Sequence, residues 1–314
     1  MPFKLLLMMN ITLLLLFGFL LGLLTAVGYY FELSGYLMVS IAVFIIFLQW
    51  MTGPSIIRWT TNMRLIEAGE FEWLQNYVEE ICKKNKVKIP KLFLVRSGGP
   101  NAFAFGRTSG SASIAVTQGL LNSLSKDEVK AVVAHEVGHI KHNDMVVMTI
   151  VAAIPVISYY VARFLVFAPR SSNDRKGGAA ILIGVAAFLV YFVTNLLVLA
   201  LSRLREYYSD RFSGENTKPS LLASALAKIT YGLSMKHEGE NTAVRSFYIA
   251  DPISAASEMS KFSSEYSDFE LSGKELESAM EWERGNIFAR ISEIFATHPL
   301  TFKRIAALKE MGKQ

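Results

Sequence analysis

Four runs of apolar residues, at positions 5–27, 36–51, 145–167 and 179–201, constrain this chain more than any other feature of its sequence. As a helix, each can cross about 30 Å of hydrocarbon, the second only just. Such a chain is expected to be an integral membrane protein, mainly α-helical. Its composition agrees: 52% of the 314 residues are hydrophobic and the mean hydropathy is +0.32, above the usual apolar share of soluble domains. The first run is longer than the core of a cleavable signal peptide, and no small-residue cleavage site closes it, so four retained spans are expected. The order predicts a transmembrane hairpin in 1–52, a polar part in 53–144, a second hairpin in 145–201 and a polar part in 202–314.

Lysine and arginine set the orientation. With a cytoplasmic amino terminus, residues 53–144 and 202–314 share the inner side with 12 and 15 Lys/Arg, against none in 28–35 and three in 168–178. Arg58, Arg64, Lys141, Arg203 and Arg205 lie near the proposed inner ends of the spans. Both polar parts and both termini are therefore placed in the cytoplasm, at a plasma or inner membrane. The net charge of +5 fits this bias and contact with anionic lipid; no long basic run or binding motif supports a nucleic-acid partner. Cys82 is the single cysteine, so no disulfide can form within the chain, in keeping with a reducing compartment.

The spacing within 53–144 predicts a helix over 67–86, with Phe71, Leu74, Val78 and Ile81 as its apolar stripe. Strand-like runs follow at 91–96, 102–106 and 113–118, separated by Gly98-Gly99-Pro100 and Ser109-Gly110 turns. They predict a small antiparallel sheet. Past the fourth run the pattern is helical at 203–212, 220–234, 287–295 and 300–311, with a Ser/Glu-rich loop carrying short helical pieces at 254–278.

Between the sheet and the third run stands His135-Glu136-Val137-Gly138-His139. Ser125-Lys126-Asp127-Glu128 has the form of a capping box, and Val129, Val132, Val133, Val137 and Ile140 follow at helical spacing. On that helix His135 and His139 share a face, so both imidazoles can bind one Zn²⁺ while Glu136 flanks it as general base. Lys126, Asp127, Glu128, Lys130, Lys141 and Asp144 flank this helix with charges unsuited to hydrocarbon, which argues against a site inside the bilayer. A catalytic zinc needs a third protein ligand and an open position for water. Glu206 and Asp210, four apart after the fourth run, stack on one helical face. The hairpin of 145–201 returns the chain to the side of His139, so Glu206 is expected near it. Glu215, after Gly214, falls in an expected turn.

The HExxH helix ahead of a transmembrane hairpin, the Arg205-Glu206 and Asp210 segment after it, Asn101-Ala102-Phe103, and Thr297-His298-Pro299 with Arg304 resemble the HtpX family of membrane zinc metalloproteases, relatives of the CAAX prenyl proteases. The resemblance covers nearly the whole chain. It implies a gluzincin-like α+β catalytic domain with His135, His139 and Glu206 as ligands of one Zn²⁺, Glu136 as base and Asp210 orienting a ligating histidine. It further implies that His298 and Arg304 hydrogen-bond the substrate or its oxyanion, and that Asn101, Ala102 and Phe103 pair with an extended substrate. Protein substrates, membrane proteins among them, and a stress-related quality-control role come with the resemblance. Taken by themselves, Asp210 could also be an ion-pair partner of Arg211 or Lys218, His298 a helix-start residue before Pro299, and Asn101 part of the Gly-Gly-Pro-Asn turn. Two other classes stay open: a CAAX-type prenyl protease, against which four spans argue, and a membrane scaffold with a vestigial metal site. The sequence leaves the oligomeric state open.

Overall fold

The computed structural model describes residues 3–167, 177–231 and 280–313, which form two compact units. The expected loop at 254–278, the connection 168–176 and His237 lie outside the described residues.

The first unit comprises Met1–Thr52 and Val146–Leu204. Its helices are α1 (Phe3–Phe31), most of α2 (Gly35–Thr61), nearly all of α6 (Asp144–Phe167) and the larger part of α7 (Gly177–Asn216). All four helices are long and apolar enough to cross a membrane. α2 runs ten residues beyond the expected end at Met51, straight through Pro54. Hydroxyls of Thr52, Thr60 and Thr61 donate to carbonyls one turn back, at 2.7–2.9 Å, and Arg58 stands in the last turn, where a cation suits the helix dipole. Within the unit, Leu16 and Leu20 pack with Ala42, Val151, Ile154, Val198 and Leu201, while Leu23 and Val27 pack with Ala162, Leu165, Ala180 and Ala187. Small residues let helix backbones approach where no water is expelled to drive packing. Gly184 sits at one close approach: a Cβ there would stand 2.7 Å from Val166 Cγ2 and 3.1 Å from Leu165 Cβ.

The second unit comprises Gly53–Met145 and Arg205–Gln314. Its sheet holds β1 (Met63–Leu65), β2 (Lys91–Val95), β3 (Ala102–Phe105) and β4 (Ser113–Thr117), in the order β1-β2-β4-β3. The expected antiparallel sheet is instead mixed: β4 lies parallel to β2 and antiparallel to β3, and β1 lies antiparallel to β2. Alternation marks a strand but not its direction. The chain leaves β2, forms β3 on the far side, and returns β4 into the gap. As a central strand β4 is buried at all five positions.

Around the sheet lie α3 (Glu72–Asn85), α4 (Gln118–Ser123), α5 (Lys126–Lys141), α8 (Pro219–Tyr231), α9 (Ile287–Ser292), a 3₁₀ turn over Glu293–Phe295, and α10 (Thr301–Met311). Leu74, Val78 and Ile81 of α3 join Val129, Val132, Val133 and Val137 of α5, Leu222 and Leu226 of α8, and Ile305 and Leu308 of α10 in one core. Cys82 is buried there with its thiol pushed up to about 11 by that burial, so it is no nucleophile.

Candidate active site

The HExxH residues lie on α5, whose start is fixed as the sequence predicts. Ser125 Oγ accepts from Glu128 N–H and Glu128 Oε2 accepts from Ser125 N–H at 2.8 Å. Glu128 is also tied to α8, accepting from Ser224 Oγ at 2.6 Å and Lys228 Nζ at 2.9 Å. Burial alone would raise its pKa; these hydrogen bonds outweigh burial and hold it low. The carboxyl end of α7 lies against α5. Gly138 permits this: a Cβ there would meet Ser209 Cα at 3.1 Å and Phe212 Cβ at 3.2 Å. Ser213 Oγ, on the same stretch, donates to the Ala131 carbonyl at 2.7 Å.

This packing delivers Glu206 to the two histidines. His135 Nε2 and His139 Nε2 stand 3.1 Å apart, and the Glu206 carboxylate is 3.6 Å from the first and 3.4 Å from the second. Each imidazole has a carboxylate behind it: His135 Nδ1 is 2.9 Å from Asp210 Oδ1, and His139 Nδ1 is 2.7 Å from Asp144 Oδ2. A ring that donates through Nδ1 keeps a lone pair on Nε2. Two such lone pairs and a carboxylate then face one point, an arrangement that needs a cation. Ligands bound at about 2.0–2.1 Å in a tetrahedron lie roughly 3.3–3.4 Å apart, so the three spacings fit one Zn²⁺. Atoms of His135, Glu136 and His139 also lie within 4.8 Å of one another. Glu136, however, accepts a 2.7 Å hydrogen bond from the Ala104 N–H, and Glu206 reaches both imidazoles, so Glu206 is the better-placed third donor.

Two buried arginines and His298 surround these acids. Arg304 on α10, 1% exposed, donates through Nη2 and Nε to Asp210 at 2.6 and 2.9 Å and places Nη1 2.9 Å from Glu206 Oε2. His298 Nδ1 lies 3.1 Å from the same Glu206 oxygen. Arg205 pairs with Asp144 and donates to the His142 carbonyl at 2.8 Å. Burial pushes the Glu206 pKa upward, but His298 and Arg304 beside it, with the two imidazoles that face it, hold it well below the ordinary value. Burial likewise opposes the charge on Asp210 and Asp144; Arg304 and His135 keep the first low, His139 and Arg205 the second. Glu136 moves the other way. Burial raises its pKa, only partly offset by His139 and His135.

His135, Glu136, His139, Glu206, Asp210, His298 and Arg304 thus meet in one buried cluster. Arg304 does not face an open surface, as a direct substrate contact would require; its guanidinium is engaged by Asp210 and Glu206. Asn101, Ala102 and Phe103 lead into β3 and form it, but Phe103 packs with Val95, Phe105 and Ala115, and the Asn101 backbone pairs with Thr117. Glu215 is in α7 rather than in a turn and pairs with Arg211 at 2.7 Å, away from the cluster. Asp144 and Arg205 went unread as site residues. The only cue is Asp144's position five residues past His139 and Arg205's position next to Glu206.

A family model described as Peptidase family M48 matches residues 68–312. The chain belongs to peptidase family M48. Among relatives, a protein named protease HtpX homolog from Methanothermobacter thermautotrophicus is 40% identical over 238 residues, 75% of this chain and 90% of that one. A protease HtpX homolog from Pyrococcus furiosus is 31% identical over 96% of this chain and 95% of its own. Among solved structures, S. mikatae Ste24p shares the fold at 20% identity and a TM-score of 0.53, over 97% of this chain and 66% of that one. M48 membership and the HtpX relatives make the chain a membrane metalloprotease.

Proposed function

We propose that this M48 protein is a zinc endopeptidase of the HExxH-plus-glutamate type that cuts protein substrates, membrane proteins among them, at the cytoplasmic face of the membrane as quality control. One observation carries the chemical part: His135 Nε2, His139 Nε2 and the Glu206 carboxylate converge at 3.1–3.6 Å with Asp210 and Asp144 behind the imidazoles. His135, His139 and Glu206 would hold one Zn²⁺, which when bound supplies Lewis acidity, acidifying a water and polarising the scissile carbonyl. Glu136 takes the proton of the attacking water and returns it to the leaving amine; a pKa raised by burial suits a group that must do both. Asp210 and Asp144 fix the imidazole tautomers, and Arg304 offsets the negative charge of Glu206 and Asp210. His298 Nε2, buried without a hydrogen-bond partner among the described residues, is the donor offered to the developing oxyanion. The cytoplasmic placement rests on the Lys/Arg distribution, and the quality-control role on the resemblance to the HtpX family.

The test is metal content and cleavage of an unfolded protein by purified wild type beside Glu136→Gln. The variant should keep stoichiometric zinc and lose at least about a hundredfold in turnover, since an amide cannot take the proton. Chelator should silence the wild type, and full activity in Glu136→Gln would remove Glu136 as the base.

A further inference from the structure

β3 is an edge of the sheet, with β4 on one side and no strand on the other among the described residues. In an antiparallel pair, residues alternate between exchanging hydrogen bonds with the partner and pointing away from it. Asn101 sets the phase: its N–H donates to Thr117 Oγ1 at 2.8 Å and its carbonyl accepts from the Thr117 N–H at 2.9 Å. Phe103 opposite Ala115 and Phe105 opposite Ser113 follow in the same phase. Ala102 and Ala104 therefore turn their backbone groups away from β4, Ala102 being fully buried there. At Ala104 the N–H is already in use, donating to Glu136 Oε2 at 2.7 Å across 32 residues of sequence.

Glu136 is 3% exposed, so a missing partner would leave a carboxylate both dehydrated and free to turn. A side-chain donor could swing with its rotamer. An amide in a paired strand cannot, so it fixes one carboxylate oxygen and, through it, the plane of the group.

We propose that the backbone N–H of Ala104 is the positioning group for Glu136: it holds Oε2, leaves Oε1 to handle the proton, and closes that point of the edge to substrate. This rests on reading Glu136 as the base and deepens that reading. An extended peptide approaching β3 at Ala104 finds no donor there, because that N–H is engaged by Glu136. The strand that receives the substrate also sets the angle of the base, so substrate register and proton transfer share one backbone reference.

Two experiments on the full chain in detergent test it. The first needs no catalysis. Amide exchange at Ala104 should be slow in wild type and in Glu136→Gln, which keeps an acceptor, and at least about tenfold faster in Glu136→Ala. Equal exchange in all three overturns the proposal. The second removes the donor, either with lactate in place of Ala104, which turns the amide into an ester, or with Ala104→Pro, which an edge strand tolerates. Zinc content should match wild type, kcat should fall about 10- to 100-fold, and KM should stay within about threefold. A raised KM with preserved kcat would make the N–H a substrate donor and overturn the proposal, as would unchanged kinetics. A wild type without chelator-sensitive cleavage would sink the peptidase reading instead, and amide exchange would still decide the contact.

Discussion

Replacing Gly138 by alanine tests whether the approach of α7 to the HExxH helix builds the metal site. The added Cβ would stand 3.1 Å from Ser209 Cα and 3.2 Å from Phe212 Cβ. Carbon atoms settle at about 3.5–4.0 Å, so α7 must retreat by roughly half an ångström, at a cost of about 1–3 kcal/mol. Glu206 lies one turn before Ser209 on the same helix and retreats with it, while Arg304 and His298 restrain its side chain from following the imidazoles. Metal–ligand distances tolerate only about 0.2 Å, so zinc affinity should fall roughly 10- to 100-fold. The assay is competition for zinc against a chromophoric chelator, with thermal unfolding of the metal-free protein alongside. Val137→Ala is the control: Val137 is buried on the same helix, so the change should cost about 2 kcal/mol of stability yet leave zinc affinity near wild type. Zinc binding in Gly138→Ala as tight as in wild type, or lost equally in both variants, would refute the reasoning.

Metal analysis should find Glu206→Ala empty, Asp210→Ala and Asp144→Ala weakened about 10- to 100-fold, and Glu215→Ala unchanged; zinc bound by Glu206→Ala but not by Asp210→Ala would exchange the two carboxylates' roles. Glu128→Gln should lower stability by about 1–3 kcal/mol at pH 7. Because the folded pKa of Glu128 is depressed, that stabilisation is present above the unfolded value of about 4.3 and is lost as pH falls through the folded one. Melting curves of wild type and Glu128→Gln should therefore converge below pH 4, and a difference that grows with acid would reverse the sign. A reporter fused after Ser172 should lie outside the cytoplasm and one after Gln314 inside, both on one side being incompatible with four spans.

The HExxH helix was legible because its signals are local: a capping box, an apolar stripe and two histidines one turn apart all fall within residues 125–141. Glu206 and Asp210 were legible as a pair, though linking them to His139 needed the hairpin and the family resemblance. The sheet's handedness of pairing was not. β1 is three residues with a single partner strand, too short for periodicity, and β4's parallel neighbour lies two connections back in the chain. Asp144 read as a charge at a helix boundary because nothing in sequence announces that Arg205, 61 residues later, will neutralise it in the interior. The substrate role of Arg304 came from the family resemblance alone; only the fold reveals that Glu206 and Asp210 engage its guanidinium.

Arg304 also sets the order in which this centre can come into being. His139 precedes it by 165 residues, and at roughly 5–20 residues per second of synthesis the ribosome needs about 10–30 s to cover that distance. Until then Glu206 and Asp210 have no guanidinium to join them, and two uncompensated acids resist burial beside the histidines. A nascent chain stalled before Arg304 is accordingly expected to hold little zinc, and one extended beyond it to hold a full complement, so hydrolytic competence cannot precede the synthesis of α10.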